Sequence, residues 1–261
     1  MNLQVLVSTM HQNDYNLMDK MRLQSDSIVI NQCERNEIVE FEYNGNEIKF
    51  YSFAERGVGL SRNNALMRAT ACICLFADDD MVYVDGYKDI IIKAFKENPR
   101  ADVIVFNVIS TDPNRQAYQN KKRRRIRWFN SLRYGTFRIA IRTDEIRKKN
   151  IYFSLLFGGG ARYSAGEDVL FIITCLKRGL RIYAEPKLIG YVSHEDSTWF
   201  KGYTDKFFYD RGVLFSAISP MWAKVLCLQF AVRKRKLFKN DKGTKDAFKL
   251  MIQGTKELKG K

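Results

Sequence analysis

The stretch "CICLFADDD", residues 72–80, joins an apolar run to three consecutive carboxylates, Asp78, Asp79 and Asp80. An uninterrupted apolar run of this length is typical of a strand that is buried on both faces of a sheet. Adjacent like charges repel each other, so three acids at a strand end indicate a site where positive charge is supplied. Helical patterns precede and follow this strand, and that alternation is typical of an α/β protein.

The alternation continues along the chain. The sequence predicts strands at 3–9, 26–32, 72–77, 101–110 and 137–142 and a hairpin that turns at 44–46. It predicts helices at 13–24, in the second part of 56–71 after a glycine loop, at 84–99 and from about Glu167 to Lys177. Ser61 is the expected N-cap of the second helix, and "LRIYAEPKLIGYVSH" (180–194) predicts two short strands. After residue 200 the pattern is helical, aromatic and basic. Together these elements predict an α/β fold with a mostly parallel central sheet flanked by helices.

Polar side chains gather where the predicted strands end. Ser8 and Thr9 close the first strand, and Asn31 and Gln32 close the second. Ligands of open parallel sheets bind at the carboxyl ends of the strands, so these side chains are expected beside Asp78–Asp80. A magnesium-type ion takes one or two carboxylates plus substrate phosphates, which predicts Mg²⁺ or Mn²⁺ holding a diphosphate. The alternative is a solvated acidic loop that caps the next helix.

The loop "RGVGLSRN" (56–63) stands ten residues before the acidic strand. Glycines ahead of a helix let backbone N–H groups approach a phosphate, and the helix dipole favours the anion. Arg56 and Arg62 add guanidinium groups that match phosphate geometry. The spacing differs from the dinucleotide pattern GxGxxG, because Arg62 occupies the third glycine position. We therefore expect a phosphate site of another kind.

Two segments account for the whole excess of positive charge. Residues 221–261 carry a net charge of +9 and "KKRRRIR" (121–127) carries +6, which together equal the +15 of the whole chain. Basic segments of this kind bind a polyanion, such as nucleic acid, anionic lipid or a phosphorylated acceptor, or they form a solvated surface. In "SPMWAKVLCLQFAVRKRKLF" (219–238) clustered bases alternate with large apolar residues, which resembles an interfacial helix on anionic lipid. The alternative is a helix packed on the domain with a basic outer face.

Three other features limit the class of protein. The five cysteines include no CxxC pair, which predicts buried thiols in a reducing compartment rather than a disulfide framework or a zinc site. The sequence has no run of about 18 apolar residues, so no bilayer-spanning segment is expected. The first ten residues lack the basic region and the long apolar run of a signal peptide.

The segment "RGVGLSRNNAL", the acidic strand end and the later "FGGGARYSAGEDVLF" (157–171) together resemble family 2 inverting glycosyltransferases of the GT-A fold, of the type that builds bacterial surface polysaccharides. Such enzymes commonly have a GxxxARN-like segment, a strand ending in DxD, and an ED pair that opens a helix. The resemblance covers roughly residues 3–200. It implies transfer of a sugar from a nucleotide donor, UDP, to a hydroxyl of the acceptor, with a divalent metal, Mn²⁺ or Mg²⁺.

Residue roles follow from the resemblance. It implies a nucleotide-sugar site formed by Ser8, Thr9, Asn31, Gln32, Arg56, Arg62, Asp78 and Asp79. It implies a metal site formed by Asp80 and Asp78, with His194 as a further candidate, and a catalytic ED pair, Glu167 and Asp168, in which Asp168 is the general base that takes the acceptor proton. Trp199 is a candidate for stacking on a sugar or for the core. The sequence departs from the family at Asn31, where many relatives have Asp, and at Met81, where a further acid is usual.

The resemblance also implies an organisation and a setting. Residues 1–205 would form the catalytic domain, with a donor half at about 1–110 and an acceptor half at about 111–205, and residues 206–261 would form a helical, basic extension. The basic segments would face a glycan or a lipid-diphosphate-linked acceptor at an anionic membrane surface. The expected location is cytoplasmic, on the inner face of a bacterial membrane, in the synthesis of a surface polysaccharide such as a capsule. The sequence does not reveal the donor sugar, the linkage or the oligomeric state.

Two other hypotheses use parts of the same pattern. A protein that binds nucleic acid would use the basic segments and their aromatic residues, but it would leave Asp78–Asp80 and "GED" without a role, so no nucleic-acid partner is expected. A sugar nucleotidyltransferase would also use an α/β sheet and carboxylate-bound Mg²⁺. Such enzymes usually have a glycine-rich loop after the first strand, whereas "VSTMHQND" contains no glycine.

Overall fold

The computed structural model describes residues 1–113, 115–193 and 202–258. The strands in these residues are Leu3–Met10 (β1), Asp26–Gln32 (β2), Glu37–Tyr43 (β3), Asn46–Phe53 (β4), Ile73–Asp78 (β5), Met81–Tyr83 (β6), Val103–Ser110 (β7), Arg124–Ile126 (β8), Ile139–Arg142 (β9) and Ile182–Val192 (β10). The α-helices are Leu17–Met21 (α1), Val58–Arg68 (α2), Tyr87–Glu97 (α3), Thr143–Lys148 (α4), Glu167–Lys177 (α5), Asp205–Ile218 (α6), Ala223–Arg233 (α7), Arg235–Phe238 (α8) and Thr244–Gly254 (α9).

The strands form one mixed sheet in the order β3-β4-β2-β1-β5-β9-β7-β10-β6, and β8 also pairs with β10. Strands β4, β2, β1, β5, β7 and β10 run in one direction, and β3, β6, β8 and β9 run against them. Strand β9 lies antiparallel between β5 and β7, so a later segment of the chain completes the centre of the sheet. The predicted α/β class with a mostly parallel sheet is confirmed.

Two apolar layers cover the faces of the sheet because side chains alternate along each buried strand. From β1, Val5 and Val7 pack with α1 and α3 on one face, while Leu6 packs with α2 and α5 on the other. A third apolar cluster joins α6, α7, α8 and α9 to the outer side of α5. No helix in the described ranges has the length and apolar character needed to cross a membrane.

Several details differ from the sequence prediction. Helix α1 has only five residues, where the sequence predicted a helix over 13–24. Helix α2 begins at Val58 with Gly57 as its N-cap. The predicted N-cap Ser61 therefore lies buried inside the helix, where its hydroxyl donates to Ser8 Oγ at 2.9 Å. All five cysteines are free and four are buried, but Cys72 is exposed.

The segment 180–194 forms one strand, β10, where two short strands were predicted. Pro186 has no N–H to donate, and the register with β7 shifts between Ala184 and Leu188. The side chain of Asn107 on β7 donates to the Pro186 carbonyl at 3.1 Å and so replaces part of the lost pairing. A proline in a strand is tolerated at such an irregularity, which is why the strand continues.

Candidate active site

The carboxyl ends of β1, β2 and β5 meet at one edge of the sheet, as the sequence predicted. In the parallel register Ser8 lies opposite Asp78, and Thr9 lies opposite Asn31. Thr9 Oγ1 donates to Asp79 Oδ2 at 2.5 Å, so the middle acid of the triplet is bound to the neighbouring strand. Burial raises the pKa of Asp79, and the Thr9 hydroxyl opposes that shift. One acid of the triplet is therefore committed to holding the strand ends together.

Asn31 forms the wall of this edge. The side chain is fully buried, and its oxygen accepts a hydrogen bond from the Gln12 amide at 3.0 Å. Its nitrogen donates to the Gln12 carbonyl at 3.0 Å and to Ser52 Oγ at 3.1 Å. Gln12 in turn donates from its side chain to Thr9 Oγ1 at 2.9 Å. Asn31 thus holds the segment that follows β1 in place, and Gln12 in that segment holds the Thr9 side chain through its own hydrogen bond.

Arg62 links the acidic strand end to the start of α5. One of its terminal nitrogens donates to Asp78 Oδ1 at 2.6 Å and the other donates to Glu167 Oε1 at 2.8 Å. Only 4% of the arginine side chain is exposed, against 32% for Asp78 and 13% for Glu167. Burial disfavours the charge of Arg62, but the two carboxylates outweigh burial and raise its pKa. The guanidinium therefore stays charged inside the protein, with its Cζ 5.5 Å from the centre of the Phe153 ring.

The start of α2 is capped by protein groups. The Gly57 amide donates to Gln32 Oε1 at 2.6 Å, and the Val58 amide donates to the Gly159 carbonyl at 2.9 Å. The expectation that the glycine loop turns its first N–H groups toward a phosphate is therefore wrong for these two amides. A side chain on Gly160 would come within 3.1 Å of Gly57, so the glycines at 158–160 allow two loops to touch.

Arg56 lies at the margin of the same loop. It forms an ion pair with Glu34 and donates to the Cys33 carbonyl at 3.2 Å. This placement puts Arg56 beside the segment after β2, close to Gln32, and leaves its guanidinium partly exposed. Its role toward a nucleotide stays a prediction.

The acids that open α5 have different environments. Glu167 accepts from Arg62 and from the Gly166 amide at 3.1 Å, so it is a structural partner. Asp168 Oδ1 accepts from the Val169 amide at 2.6 Å. Burial and the neighbouring Glu167 charge raise the pKa of Asp168 to about 7, although the Val169 amide, Arg62 and Arg211 oppose the shift. A carboxyl tuned to neutral pH is suited to accept a proton at physiological pH.

Two of the predicted metal ligands stand at one strand end, because Asp78 closes β5 and Asp80 immediately precedes β6. The Asp80 carbonyl accepts a hydrogen bond from the Ser193 amide at 3.2 Å, so the end of β10 lies against the acidic triplet. His194 and Trp199 lie outside the described residues. Within the described ranges no three His, Cys, Asp or Glu side chains form a ready metal cluster. Asp78 and Asp80 at a strand end still fit an ion that takes only one or two carboxylates and completes its shell with substrate phosphates.

Comparison with known protein families gives a match that includes β2 and β5 at this edge of the sheet but not β1. The model of glycosyl transferase family 2 matches residues 26–157, which is just over half of the chain. The chain belongs to glycosyl transferase family 2. The predicted family and the predicted enzyme class are thereby confirmed, and the hypotheses of a nucleic-acid-binding protein and of a nucleotidyltransferase are not needed. The match ends before Glu167 and Asp168.

Solved structures share the fold of this glycosyltransferase. S. aureus TarS 1-349 in complex with UDP-GlcNAc has a TM-score of 0.66 and 16% sequence identity, over 98% of this chain and 82% of that one. The complex of the same TarS fragment with UDP gives a TM-score of 0.64 at 16% identity, over 97% and 81%. At this identity the likeness establishes the fold alone. No curated protein sequence matches the chain.

Sequence reasoning missed three side chains of the candidate site. Gln12 connects Thr9 to Asn31, and Phe153 lies against Arg62. Arg211 on α6 is close enough to Asp168 for each charge to change the pKa of the other. Gln12 follows β1 closely and could have been found from the strand-end rule. Phe153 and Arg211 come from distant parts of the chain with no local pattern.

Proposed function

We propose that this glycosyltransferase moves a sugar from a nucleotide donor, UDP-linked, to a hydroxyl of a glycan or lipid-diphosphate-linked acceptor, with inversion at the anomeric carbon. The observation that carries the proposal is the buried Arg62 bridge, because it fixes the acidic strand end and the start of α5 as one unit. The first part suits a sugar-nucleotide diphosphate and the second presents Asp168. TarS, which shares this fold, has been solved with UDP-GlcNAc and with UDP.

The donor would lie along the ends of β1, β2 and β5. Thr9, Asn31 and Gln32 line that edge, and their hydrogen bonds to Asp79, Gln12 and Gly57 give it a fixed shape before any ligand arrives. A preorganised edge reduces the entropy that is lost on binding. The same fixed shape is the physical basis for selecting one nucleotide over another.

We propose a divalent metal, Mn²⁺ or Mg²⁺, beside Asp80 and Asp78. Asp78 shares its charge with Arg62, so Asp80 would be the principal protein ligand. His194 stays a candidate ligand. When bound, the ion would neutralise the charge that develops on the departing diphosphate. Arg62 would contribute from the interior by holding the Asp78 carboxylate in one orientation.

Asp168 would act as general base in a single displacement. The acceptor oxygen forms its bond to the anomeric carbon as the bond from that carbon to the diphosphate oxygen breaks. The hydroxyl proton passes to Asp168, and the nucleoside diphosphate leaves with the electron pair. Attack from the face opposite the leaving group inverts the configuration. With a pKa near 7, Asp168 can hold that proton and release it to solvent in the next step.

The proposed setting is an anionic membrane surface, on the cytoplasmic face of a bacterial membrane. One stripe of α7 and its preceding turn is apolar and more than half exposed, formed by Met221, Val225, Leu228 and Val232 at helical spacing. Residues 219–238 carry five Lys or Arg and no acid. Exposed apolar area beside concentrated positive charge is the composition of helices that lie on anionic lipid. A surface-polysaccharide acceptor held at the membrane would be reached from there.

Calorimetric titration with UDP, GDP and CDP, each with and without Mn²⁺, tests the donor site. We expect one nucleotide, UDP, to bind in a metal-dependent manner and Asp80→Ala to abolish that dependence. Asp89→Ala is the matched control, because Asp89 is an exposed acid on α3 away from the sheet edge. Equal binding of UDP to wild type and Asp80→Ala in Mn²⁺ would remove Asp80 from the site. Absence of any nucleotide binding would remove the donor assignment.

The base is tested in single-turnover transfer with the nucleotide sugar that the titration selects. Asp168→Asn is expected to lower the transfer rate by ~10²-fold or more with nucleotide affinity unchanged, because the amide cannot take the proton. Asp144→Asn is the matched control, since Asp144 also lies in the first turn of a helix but is exposed. A normal rate in Asp168→Asn would show that another group is the base.

A further inference from the structure

A cavity of about 590 Å³ lies on the far side of α5 from the sheet, among α5, α6, α7 and the chain around residues 118–133. Val169, the residue after Asp168, lines it, and so does Leu214 of α6. A side chain on Gly166 would come within 2.6 Å of Leu214, so α6 packs directly on the turn that opens α5. The cavity therefore begins beside the proposed general base.

The cavity is cationic. Arg133, Arg211, Arg233 and Lys234 line it, and its lining residues, all of which belong to the described part of the chain, include no acid. Arg211 stacks between the rings of Phe207 and Phe230, at 5.1 and 5.3 Å from their centres, so its guanidinium is held in place. Asp168 and Asp210 act on the Arg211 charge from outside the lining. An anion inside the cavity would offset the repulsion among all four lining cations, and guanidinium groups match phosphate oxygens in particular.

The rest of the lining is mostly apolar. Leu214, Phe215, Leu226 and Phe230 form its inner wall, and the rim carries Phe129, whose side chain is 82% exposed. Exposed aromatic residues at the mouth of a cavity mark a contact surface for apolar groups. A simple polyanion, such as nucleic acid or a phosphorylated sugar, would leave this apolar surface without a partner. A ligand with both an anionic and an apolar part would satisfy both kinds of lining.

Helix α7 connects the cavity to the exposed apolar stripe. Ala223, Cys227 and Ala231 are buried in the core, while Leu226, Gln229 and Phe230 face the cavity. Successive residues of a helix are turned by about 100° around its axis. The exposed apolar stripe, which includes Leu228, therefore lies on a third side of α7, next to the side that faces the cavity. A ligand whose phosphate occupies the cavity could therefore extend its apolar chain around α7 toward the stripe.

We propose that this cavity is the acceptor site and that its ligand is an amphiphile, in which a phosphate or diphosphate group joins a hydrocarbon chain to a sugar that carries the acceptor hydroxyl. The cations bind the phosphate, the apolar wall takes the first part of the chain, and the hydroxyl to be glycosylated points toward Asp168. The inference deepens the proposed function, on which it rests, by assigning a chemical class to the acceptor and a place where it binds.

The test measures binding to the full chain, without nucleotide, of three soluble probes: farnesyl diphosphate, inorganic diphosphate and farnesol. We expect farnesyl diphosphate to bind at least about tenfold more tightly than either of the others, since only it offers both halves of the ligand. The double variant Arg233→Gln with Lys234→Gln should lower the affinity for farnesyl diphosphate by roughly tenfold or more, because it loses charge-assisted contacts to the diphosphate. Both side chains are exposed, so the fold is expected to survive.

The matched control is Arg235→Gln with Lys236→Gln, which removes the same charge from α8, outside the cavity lining. It should leave the affinity within about twofold, a change well below one tenfold step. Equal weakening in both double variants would reduce the effect to general surface charge and overturn the proposal. Diphosphate that binds as tightly as farnesyl diphosphate would overturn the lipid part of the proposal. Because these titrations contain no nucleotide, failure here with intact UDP binding rejects the acceptor assignment alone, whereas loss of UDP binding rejects the donor site.

Discussion

Replacing Arg62 by methionine removes the charge that joins Asp78 to Glu167 and leaves an unbranched side chain in its place. Both of its hydrogen bonds, at 2.6 and 2.8 Å, are charge-assisted. Removing one partner of a buried ion pair costs about 3–5 kcal/mol, because the other charge stays buried without compensation. Most of the destabilisation should come from Glu167, because its side chain is only 13% exposed and its charge would stay buried. The Asp78 side chain is 32% exposed, so water can solvate its carboxylate in place of Arg62. We therefore expect a loss of ~3 kcal/mol in the free energy of unfolding.

Chemical denaturation followed by circular dichroism measures this loss. Arg68→Met is the matched control on the same helix, because Arg68 is half-buried, bonds Asn64 and stacks on Tyr51 at 5.0 Å. Arg68→Met is expected to lower the free energy of unfolding by about 1 kcal/mol or less. If Arg62→Met destabilises the protein no more than Arg68→Met does, the argument for a buried charge bridge is refuted.

A double-mutant cycle separates the bridge from simple packing. Glu167→Gln alone should destabilise the protein, since it weakens a bond to a charged partner. In the Arg62→Met background, Glu167→Gln should lower the free energy of unfolding by less, or even raise it, because there it removes an uncompensated buried charge. The expected coupling is about 1–3 kcal/mol. Additive losses would contradict the bridge. Since the Arg62 charge lowers the pKa of Asp168, Arg62→Met should also move the pH profile of transfer to higher pH.

Three further predictions concern other parts of the molecule. The rate of transfer should rise with pH and level off above about 7 as Asp168 loses its proton, and a rate that does not change between pH 5 and 8 would contradict this. The pKa of Asp168 is higher in the folded protein than the value of about 3.9 in the unfolded chain. The free energy of unfolding of the wild type should therefore fall as pH rises from about 4 to 7. Asp168→Asn should not show this fall when unfolding is measured across the same pH range. Leu228→Glu should reduce cosedimentation with vesicles that contain anionic lipid, whereas Gln253→Glu, which adds the same charge at an exposed position of α9 outside the stripe and the cavity lining, should reduce it much less; equal effects would indicate charge alone.

The sheet edge was predictable because two local rules are sufficient for it. Apolar runs of strand length, such as residues 72–77, mark the buried strands, and polar residues at their ends meet because parallel strands share an edge. The start of α5 at Glu167 was also readable, since acids, bases and a glycine mark its two ends. These signals lie within a few residues of the feature that they predict.

The remaining differences come from long-range packing. The burial of Ser61 and Arg62 depends on β1 and α5, which stand far away in the sequence. The first amides of α2 bond to Gln32 and Gly159, which are distant in the sequence, so the local capping rule did not find their partners. The cavity beside Asp168 needs α6 and α7 to fold back on α5, and no periodicity in a single segment predicts such a packing.

The position of β9 also has a consequence for synthesis of the chain. The strand ends at Arg142, 64 residues after β5 ends at Asp78, and only β9 fills the place between β5 and β7. At about 5–20 residues per second, these residues take roughly 3–13 s to synthesise. The edge of β5 is open throughout this time, and the edge of β7 is open once that strand has been made at Ser110. We expect nascent chains stalled before residue 139 to be cleaved readily by protease and those stalled well beyond Arg142 to resist it. The half of the enzyme that would bind the donor thus cannot finish folding until part of the acceptor half has been made.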